Sequence, residues 1–343
     1  MIKIAIIGAT GYTGSELVRL LSHHREVEIV LITSETHQGK RFSDIHPQFK
    51  GICDIALQSA EQTSEYEPDL VFLALPHGVS MEYVKKWQDQ PFKIIDLSGD
   101  FRLSDPGVYS HWYHKDHSYP EGFNKAVFGL PELYREQIRM SRLTANPGCF
   151  PTGAILAAYP LVKEELVDPN RLIFDSKTGV TGAGVKPKLV THYPNVGDNF
   201  KPYGIQKHRH TIEIQETLAI STGREVTVQF TPHLLPVDRG ILTSLYALPV
   251  KKTSRHQLEE VYQKYYENEY FIRLRQEAPQ IKHVRGTNYT DIAVYYDKRT
   301  DNVMVFTALD NLVKGAAGQA IQNMNIMMGL EEKAALELIP MMP

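Results

Sequence analysis

With 343 residues, the chain is long enough for two domains and a large buried core. Its formal net charge of -3 supplies no field that gathers nucleic acid or an anionic membrane, and its two cysteines, Cys53 and Cys149, are too few for a disulfide framework. No apolar run approaches a membrane span, and the apolar start at residues 1–8 ends in a glycine turn, reading as a strand and not a signal peptide, so a reducing cytoplasm is the expected compartment.

Residues 2–7 form a short β-branched run bounded by glycine, the pattern of a strand buried on both faces. Gly8-Ala9-Thr10-Gly11-Tyr12-Thr13-Gly14 follows, and residues 15–21 then take helical spacing. A glycine loop between a first strand and a first helix makes a phosphate cradle. Gly8 permits the tight turn, Gly11 lets a pyrophosphate approach backbone N–H groups, and Gly14 lets the helix pack closely on the strand. The spacing is GxxGxxG, not the commoner GxGxxG. Gly8, Thr10, Gly11, Tyr12, Thr13 and Gly14 are therefore expected around a dinucleotide. The second strand, 27–33, ends at Thr33-Ser34, where an NAD site carries Asp or Glu. Hydroxyls there, with Lys40 and Arg41 beyond, suit a 2′-phosphate, so NADP(H) is the expected cofactor with Ser34 against it. Glu35 weighs against that reading, because a carboxylate repels the phosphate.

Strands at 69–75 and 93–98 continue a βα alternation, which implies a doubly wound, Rossmann-type parallel sheet with ligands beyond the carboxyl ends of its strands. Pro76-His77-Gly78 and Ser98-Gly99-Asp100-Phe101-Arg102 stand at two such ends. Pro76, His77 and Gly78 are expected along the cofactor crevice, although a histidine between turn formers commonly faces solvent. Arg102 is the candidate for a substrate phosphate or carboxylate, since guanidinium meets either bidentately; the plainer reading is an ion pair with Asp100 or Asp105. His111, His114 and His117 are spaced like metal ligands, but they fall in a stretch that reads as an irregular aromatic loop with no cysteine nearby. No metal is expected.

Residues 142–145 read as the strand that delivers Asn146-Pro147-Gly148-Cys149-Phe150-Pro151-Thr152. Pro147 and Gly148 force a turn, Pro151 suits the start of a helix, and residues 154–159 read as that helix. Cys149 thus falls at or just before a helix N-terminus, where the macrodipole favours its thiolate. A buried, inert thiol is the alternative on this stretch alone.

Beyond residue 172 the pattern changes. Strands at 172–177, 226–230, 242–248 and 303–309 imply a mostly antiparallel sheet in an α+β domain. Residues 178–188 form a glycine-rich, hydroxyl-bearing, basic loop suited to an anionic group or to covering a site. Lys207-His208-Arg209-His210-Thr211-Ile212-Glu213 opens a helix, with Glu213 one turn after His210 on the same face. A carboxylate there orients an imidazole and leaves His208 to act as acid or base with a pKa near neutrality; a surface capping cluster is the alternative. Residues 310–323 read as one long helix whose small side chains allow close packing. The expected division is 1–148 as the NADP-binding domain, completed by a helix at 311–330, and 149–310 as the catalytic domain.

GATGYTGSEL at the start, DLSGDFRL, NPGCFPTGA, KTGVTGAG, KHRHTIEI and DNLVKGAAGQAIQNMN together resemble the N-acetyl-γ-glutamyl-phosphate reductases of arginine biosynthesis over nearly the whole chain. That family is related to the aspartate-semialdehyde dehydrogenases and more distantly to glyceraldehyde-3-phosphate dehydrogenase. The resemblance implies a Cys149 thioester, proton transfer by His208 with His210 and Glu213 in support, reduction by NADPH, and a homodimer or homotetramer formed through the second domain. It makes Asn311 a candidate cofactor contact, and Arg102, Asn146 and Lys186 candidates for the substrate. In the aspartyl relatives the catalytic histidine follows a VPV-x-x-G segment; here Leu235-Pro236-Val237-Asp238-Arg239-Gly240 is followed by Ile241, which argues against aspartyl phosphate. A longer acyl phosphate, such as an aminoadipyl derivative of lysine biosynthesis, and a non-catalytic NADP-sensing regulator are the competing readings.

Overall fold

The computed structural model describes residues 1–342. The chain divides into two compact units, Met1–Pro147 with Ala316–Glu337, and Gly148–Gly315 with the tail from Leu338. The first is built on strands β1 (Ile2–Ile7), β2 (Val27–Ile32), β3 (Leu70–Leu73), β4 (Lys93–Asp96), β5 (Ala126–Phe128) and β6 (Leu143–Ala145), in the order β2-β1-β3-β4-β6-β5. Every neighbouring pair is parallel. The β-branched and aliphatic residues of β1 and β3 are buried on both faces, as a sheet covered by helices requires. Ile7, Val71, Leu73 and Ile94 pack with Met81, Val84 and Trp87 on or beside the helix Ser80–Lys86, each such burial being worth about 1.5–3 kcal/mol. Chain order reverses between β1 and β3, so a crevice opens beyond their carboxyl ends. The stretch expected to be an irregular aromatic loop instead contains the helix Pro106–Tyr113. Its start follows a common rule: Asp105 caps the Val108 N–H at 2.8 Å and Pro106 takes the first helical position.

The second unit carries β7 (Leu172–Thr178), β8 (Lys201–Pro202), β9 (Val228–Leu234), β10 (Ile241–Ala247), β11 (Ile272–Leu274), β12 (Thr290–Asp297) and β13 (Asn302–Leu309). Their order is β11-β12-β13-β10-β7-β9-β8. The pairs β7/β9 and β11/β12 are parallel and the others antiparallel, so the sheet is mixed. Strands β8, β11 and β12 were not anticipated, and β9 runs on past residue 230 to Leu234.

The helix Cys149–Lys163 packs across β10 and β13, and the helix His210–Thr222 packs on it and on β9. The first of these is apolar on nearly all sides and almost wholly buried. Gly153 leaves room for Thr307, whose Oγ1 would lie 2.9 Å from a Cβ at that position. Pro160 sits inside the helix and offers no N–H to the Leu156 carbonyl one turn earlier. The Tyr266 hydroxyl, from the helix Arg255–Tyr266, donates to that carbonyl at 2.8 Å, and Tyr262 donates to Ala157. The opposite face of the sheet is open: Ile173 on β7 is 42% exposed and Tyr246 on β10 is 37% exposed. Among the described residues, no helix is long and apolar enough to cross a membrane.

Candidate active site

In the second unit, Gly148 has extended backbone angles and caps the helix that begins at Cys149. Pro151 falls in the first turn, where its missing N–H is an orphan in any case. Cys149 is half-buried at the end of the helix where backbone N–H groups and the dipole favour an anion. Phe150, the next residue, packs edge-on against both His208 and His210, with ring centroids 5.7 and 5.8 Å apart, and the two imidazoles are 4.7 Å from each other. This packing brings the histidine helix to the cysteine end of its neighbour.

The His210 backbone N–H donates to His208 Nδ1 at 3.2 Å, so the neutral ring of His208 carries its proton on Nε2. Burial, and then the neighbouring Arg209 charge, push the His208 pKa down to about 4. The expected value near neutrality is therefore corrected: at neutral pH His208 is an uncharged ring with an Nε2–H donor. Glu213 is 1% exposed, and its Oε1 accepts the Gly148 N–H at 2.6 Å, while its Oε2 stands 4.0 Å from His210 Nε2. Its close bond thus fixes the residue before Cys149. Tyr203, absent from the sequence reading, has its ring 5.6 Å from His208. Its pKa is held well above the ordinary tyrosine value, first by burial and then by the charge of Cys149.

In the first unit, Gly8 has φ +89°, and a Cβ there would lie 2.5 Å from the Ala74 carbonyl oxygen. A Cβ on Gly14 would strike Gly8 and Ala9, whereas one on Gly11 would meet nothing within 4 Å. The outer glycines serve the turn and the packing, and the middle one leaves open space over the N-terminus of the helix Tyr12–Leu21. That cradle fits a dinucleotide pyrophosphate. Thr10 Oγ1 and Ser34 Oγ are 3.1 Å apart, Thr33 Oγ1 accepts the Gly8 N–H at 3.2 Å, and Lys40 and Arg41 are exposed nearby in sequence, as is Glu35. His46 Nε2 lies 3.3 Å from the Thr10 carbonyl, a neighbour no motif announced. Pro76 and His77 are exposed, and His77 Nδ1 accepts the Gly99 N–H at 2.7 Å. Gly78, with φ +77°, is pinned by the fully buried Asp100, whose carboxylate also accepts from Tyr109 and Met81.

A family model described as "Semialdehyde dehydrogenase, NAD binding domain" matches residues 3–141, and one described as "Semialdehyde dehydrogenase, dimerisation domain" matches residues 149–311. The N-acetyl-γ-glutamyl-phosphate reductase of Caldicellulosiruptor bescii is 47% identical over 340 residues, covering 99% of each chain. That of Methanosphaera stadtmanae is 48% identical over 345 residues, covering 100% of this chain and 99% of the relative. The chain belongs to the N-acetyl-γ-glutamyl-phosphate reductase family. The fold is shared more widely: the crystal structure of aspartate semialdehyde dehydrogenase with NADP from Candida albicans superposes with a TM-score of 0.72 at 18% identity, covering 96% of this chain and 99% of that one.

Against this family background, the structure gathers Cys149, His208, His210 and Glu213 in one unit, and gathers Gly8, Thr10, Gly11, Tyr12, Thr13, Gly14 and Ser34 at one strand–helix junction in the other. Three of the candidate ligand residues are engaged by other protein groups. Asn146, expected at the substrate, is 1% exposed, with Nδ2 on the Ala316 carbonyl at 3.1 Å and Oδ1 accepting from Asn323 at 3.1 Å; it ties β6 to the helix Gly318–Met328. Asn311, expected at the cofactor, is 2% exposed, with Oδ1 on the Gly240 N–H at 2.8 Å and Nδ2 on Thr181 Oγ1 at 2.9 Å. It holds two loops of the second unit together. Arg102 Nη2 donates to the Leu97 carbonyl at 2.8 Å, at the end of β4. Lys186 stands exposed on the glycine-rich loop. Of the three closely spaced histidines, His117 bonds the Asp100 carbonyl at 2.9 Å and packs on Phe101, and His114 ends the helix Pro106–Tyr113 with φ +53°.

Proposed function

We propose that the chain reduces N-acetyl-γ-glutamyl phosphate to N-acetylglutamate 5-semialdehyde and phosphate with NADPH, a step of arginine biosynthesis in the cytoplasm. The observation that carries this reading is a half-buried thiol on the first residue of a buried helix, with two imidazoles packed on the adjacent phenylalanine.

The Cys149 thiolate attacks the acyl carbon, the carbon–oxygen bond to phosphate breaks, and a thioester forms on the enzyme. NADPH supplies the hydride that reduces this thioester carbon. The thiohemiacetal oxyanion then expels the Cys149 thiolate and leaves the aldehyde. One proton is consumed overall and ends on the released phosphate, and the His208–His210 pair is the proton route. The neutral His208 ring offers its Nε2–H to the oxygen that gathers charge, together with backbone N–H groups at the helix start. The Tyr203 ring stands 5.6 Å from that of His208 in the same site. The glycine cradle holds the pyrophosphate, and Ser34, Lys40 and Arg41 receive the 2′-phosphate. Pro76, His77 and Gly78 border the crevice, and Arg102 and Lys186 hold anionic groups of the substrate. The unit with the cradle is thus the cofactor domain, and the unit with Cys149 is the catalytic domain. The open face of its seven-stranded sheet is where a second copy docks to form a homodimer.

The test runs the reaction backwards. Purified chain with N-acetylglutamate semialdehyde, phosphate and NADP⁺ is expected to produce NADPH, followed by absorbance, and to stall without phosphate. Cys149→Ala is expected to lose at least about 10⁴-fold in turnover while still binding NADPH. Phosphate-independent turnover, or substantial turnover by the variant, rejects the covalent route.

A further inference from the structure

The chain reaches its last helix through an unusual turn. A continuous helix was expected across residues 310–323, but residues Val313–Ala317 form a π turn before the helix Gly318–Met328 begins. A five-residue bond leads into it, from the Gly315 N–H to the Asp310 carbonyl at 2.9 Å. Single π turns cost helical regularity and concentrate where a backbone must be aimed.

Asp310 builds this one. It is fully buried, and its Oδ1 accepts the Leu312 and Val313 N–H groups at 2.8 and 3.1 Å. Its Oδ2 accepts the Gly286 N–H at 2.7 Å, and Arg239 Nη1 stands 3.6 Å from Oδ1 to balance the charge. Lys314, also fully buried, lies over the Phe271 ring at 5.8 Å from its centroid. The turn is thus held by groups that water does not compete for.

What the turn presents is Gly315, and what it faces is the nucleophile. A Cβ on Gly315 would lie 2.8 Å from Cys149 Cβ and 3.2 Å from Cys149 Cα. Relaxed carbon contacts sit at about 3.5–4.0 Å, and neither of those atoms can swing aside as a side-chain tip can. Gly315 has no left-handed φ to explain its identity, and alanine at an ordinary helical position is about 1 kcal/mol better than glycine. Space against Cys149 is therefore the reason for glycine. On the other side, Glu213 holds the Gly148 N–H.

We propose that Gly315, aimed by the Asp310-capped π turn, is a positioning residue that sets where the Cys149 thiol stands. This rests on Cys149 being the nucleophile of the proposed reaction. A displacement of about 1 Å at a reacting group is enough to cost roughly 100-fold in rate.

The experiment compares the full-length chain with its Gly315→Ala variant in three measurements: the rate of iodoacetamide alkylation at Cys149, read by mass spectrometry of its peptide; kcat for phosphate-dependent NADP⁺ reduction; and KM for NADP⁺. The expected result is alkylation slowed roughly fivefold or more as the thiol leaves the helix N-terminus, kcat lowered about 100-fold, and KM for NADP⁺ within about twofold. Alkylation within about twofold of the parent overturns the proposal, whatever happens to the melting temperature, because a merely structural glycine alters stability and not the thiol. If Gly315→Ala does not fold, Asp310→Asn takes its place under the same criteria, since it replaces the acceptor for Gly286 with a donor. If the parent shows no turnover, the proposed reaction fails, while alkylation needs neither substrate nor cofactor and still decides the role of Gly315.

Discussion

His208 shows how burial redirects a side chain's chemistry. Its ring titrates near 4 when folded and near 6.5 when unfolded, so between those values the unfolded chain binds more protons. Stability contributed by the neutral, buried ring is complete above about pH 6.5 and is lost as pH falls toward 4. Asp96 opposes this trend. Burial, and then the neighbouring Asp100 charge, raise it to about 6, so it takes up a proton more readily folded than unfolded as pH falls. Comparison with a variant isolates the histidine. From about pH 7 to pH 5, His208→Gln is expected to lose less stability than the parent by about 1–2 kcal/mol, measured by urea denaturation at each pH. Equal losses in the two proteins contradict the depressed value. The same burial makes the ring a hydrogen-bond donor, and not a standing cation, in the proposed reaction.

At the scale of elements, the helix Cys149–Lys163 combines a half-buried N-terminal thiol with a buried body. Pro160 deprives the Leu156 carbonyl of its usual donor, and the Tyr266 hydroxyl replaces it from another helix. Removing that hydroxyl leaves a buried acceptor without its partner, which costs about 1–3 kcal/mol. Tyr266→Phe is therefore expected to lower the unfolding free energy, read from urea denaturation, by that amount with kcat within about twofold of the parent, since the lesion lies two turns from Cys149. Periodicity announces this helix and its N-terminal cysteine, because Pro-Gly before it and an apolar run after it are local signals. The glycine cradle is legible for the same reason. Tyr203 and Gly315 are not. Tyr203 reaches the site because its N–H joins the Pro232 carbonyl at 3.0 Å beside the sheet, and Gly315 does so because a five-residue bond replaces a four-residue one. Neither pairing leaves a trace in hydrophobic spacing. Asn146 and Asn311 carry a second bond network that the motifs do not announce. A polar residue beside a motif invites a ligand, yet each spends its amide on other protein groups.

For the whole molecule, the alternation of β7 decides how the second unit meets its surroundings. Leu172, Phe174, Ser176 and Thr178 are buried, while Ile173, Asp175 and Lys177 are not, so one face of the sheet takes the helices and the other stays available. Ile173 and Tyr246 are direct cross-strand partners on that open face. Replacing both with glutamate puts like charges opposite each other and wets an apolar patch. The Ile173→Glu, Tyr246→Glu variant is expected to sediment at half the mass of the parent; an unchanged mass places the contact elsewhere.

The same sheet ends on β11, three residues long, and on β8, two residues long and carrying Pro202. A margin so short, with a proline lacking its donor, gives a stray strand almost no ladder to extend. In the proposed homodimer the unit can therefore keep an apolar face for its partner while its borders resist the edge-on growth that leads to fibrils.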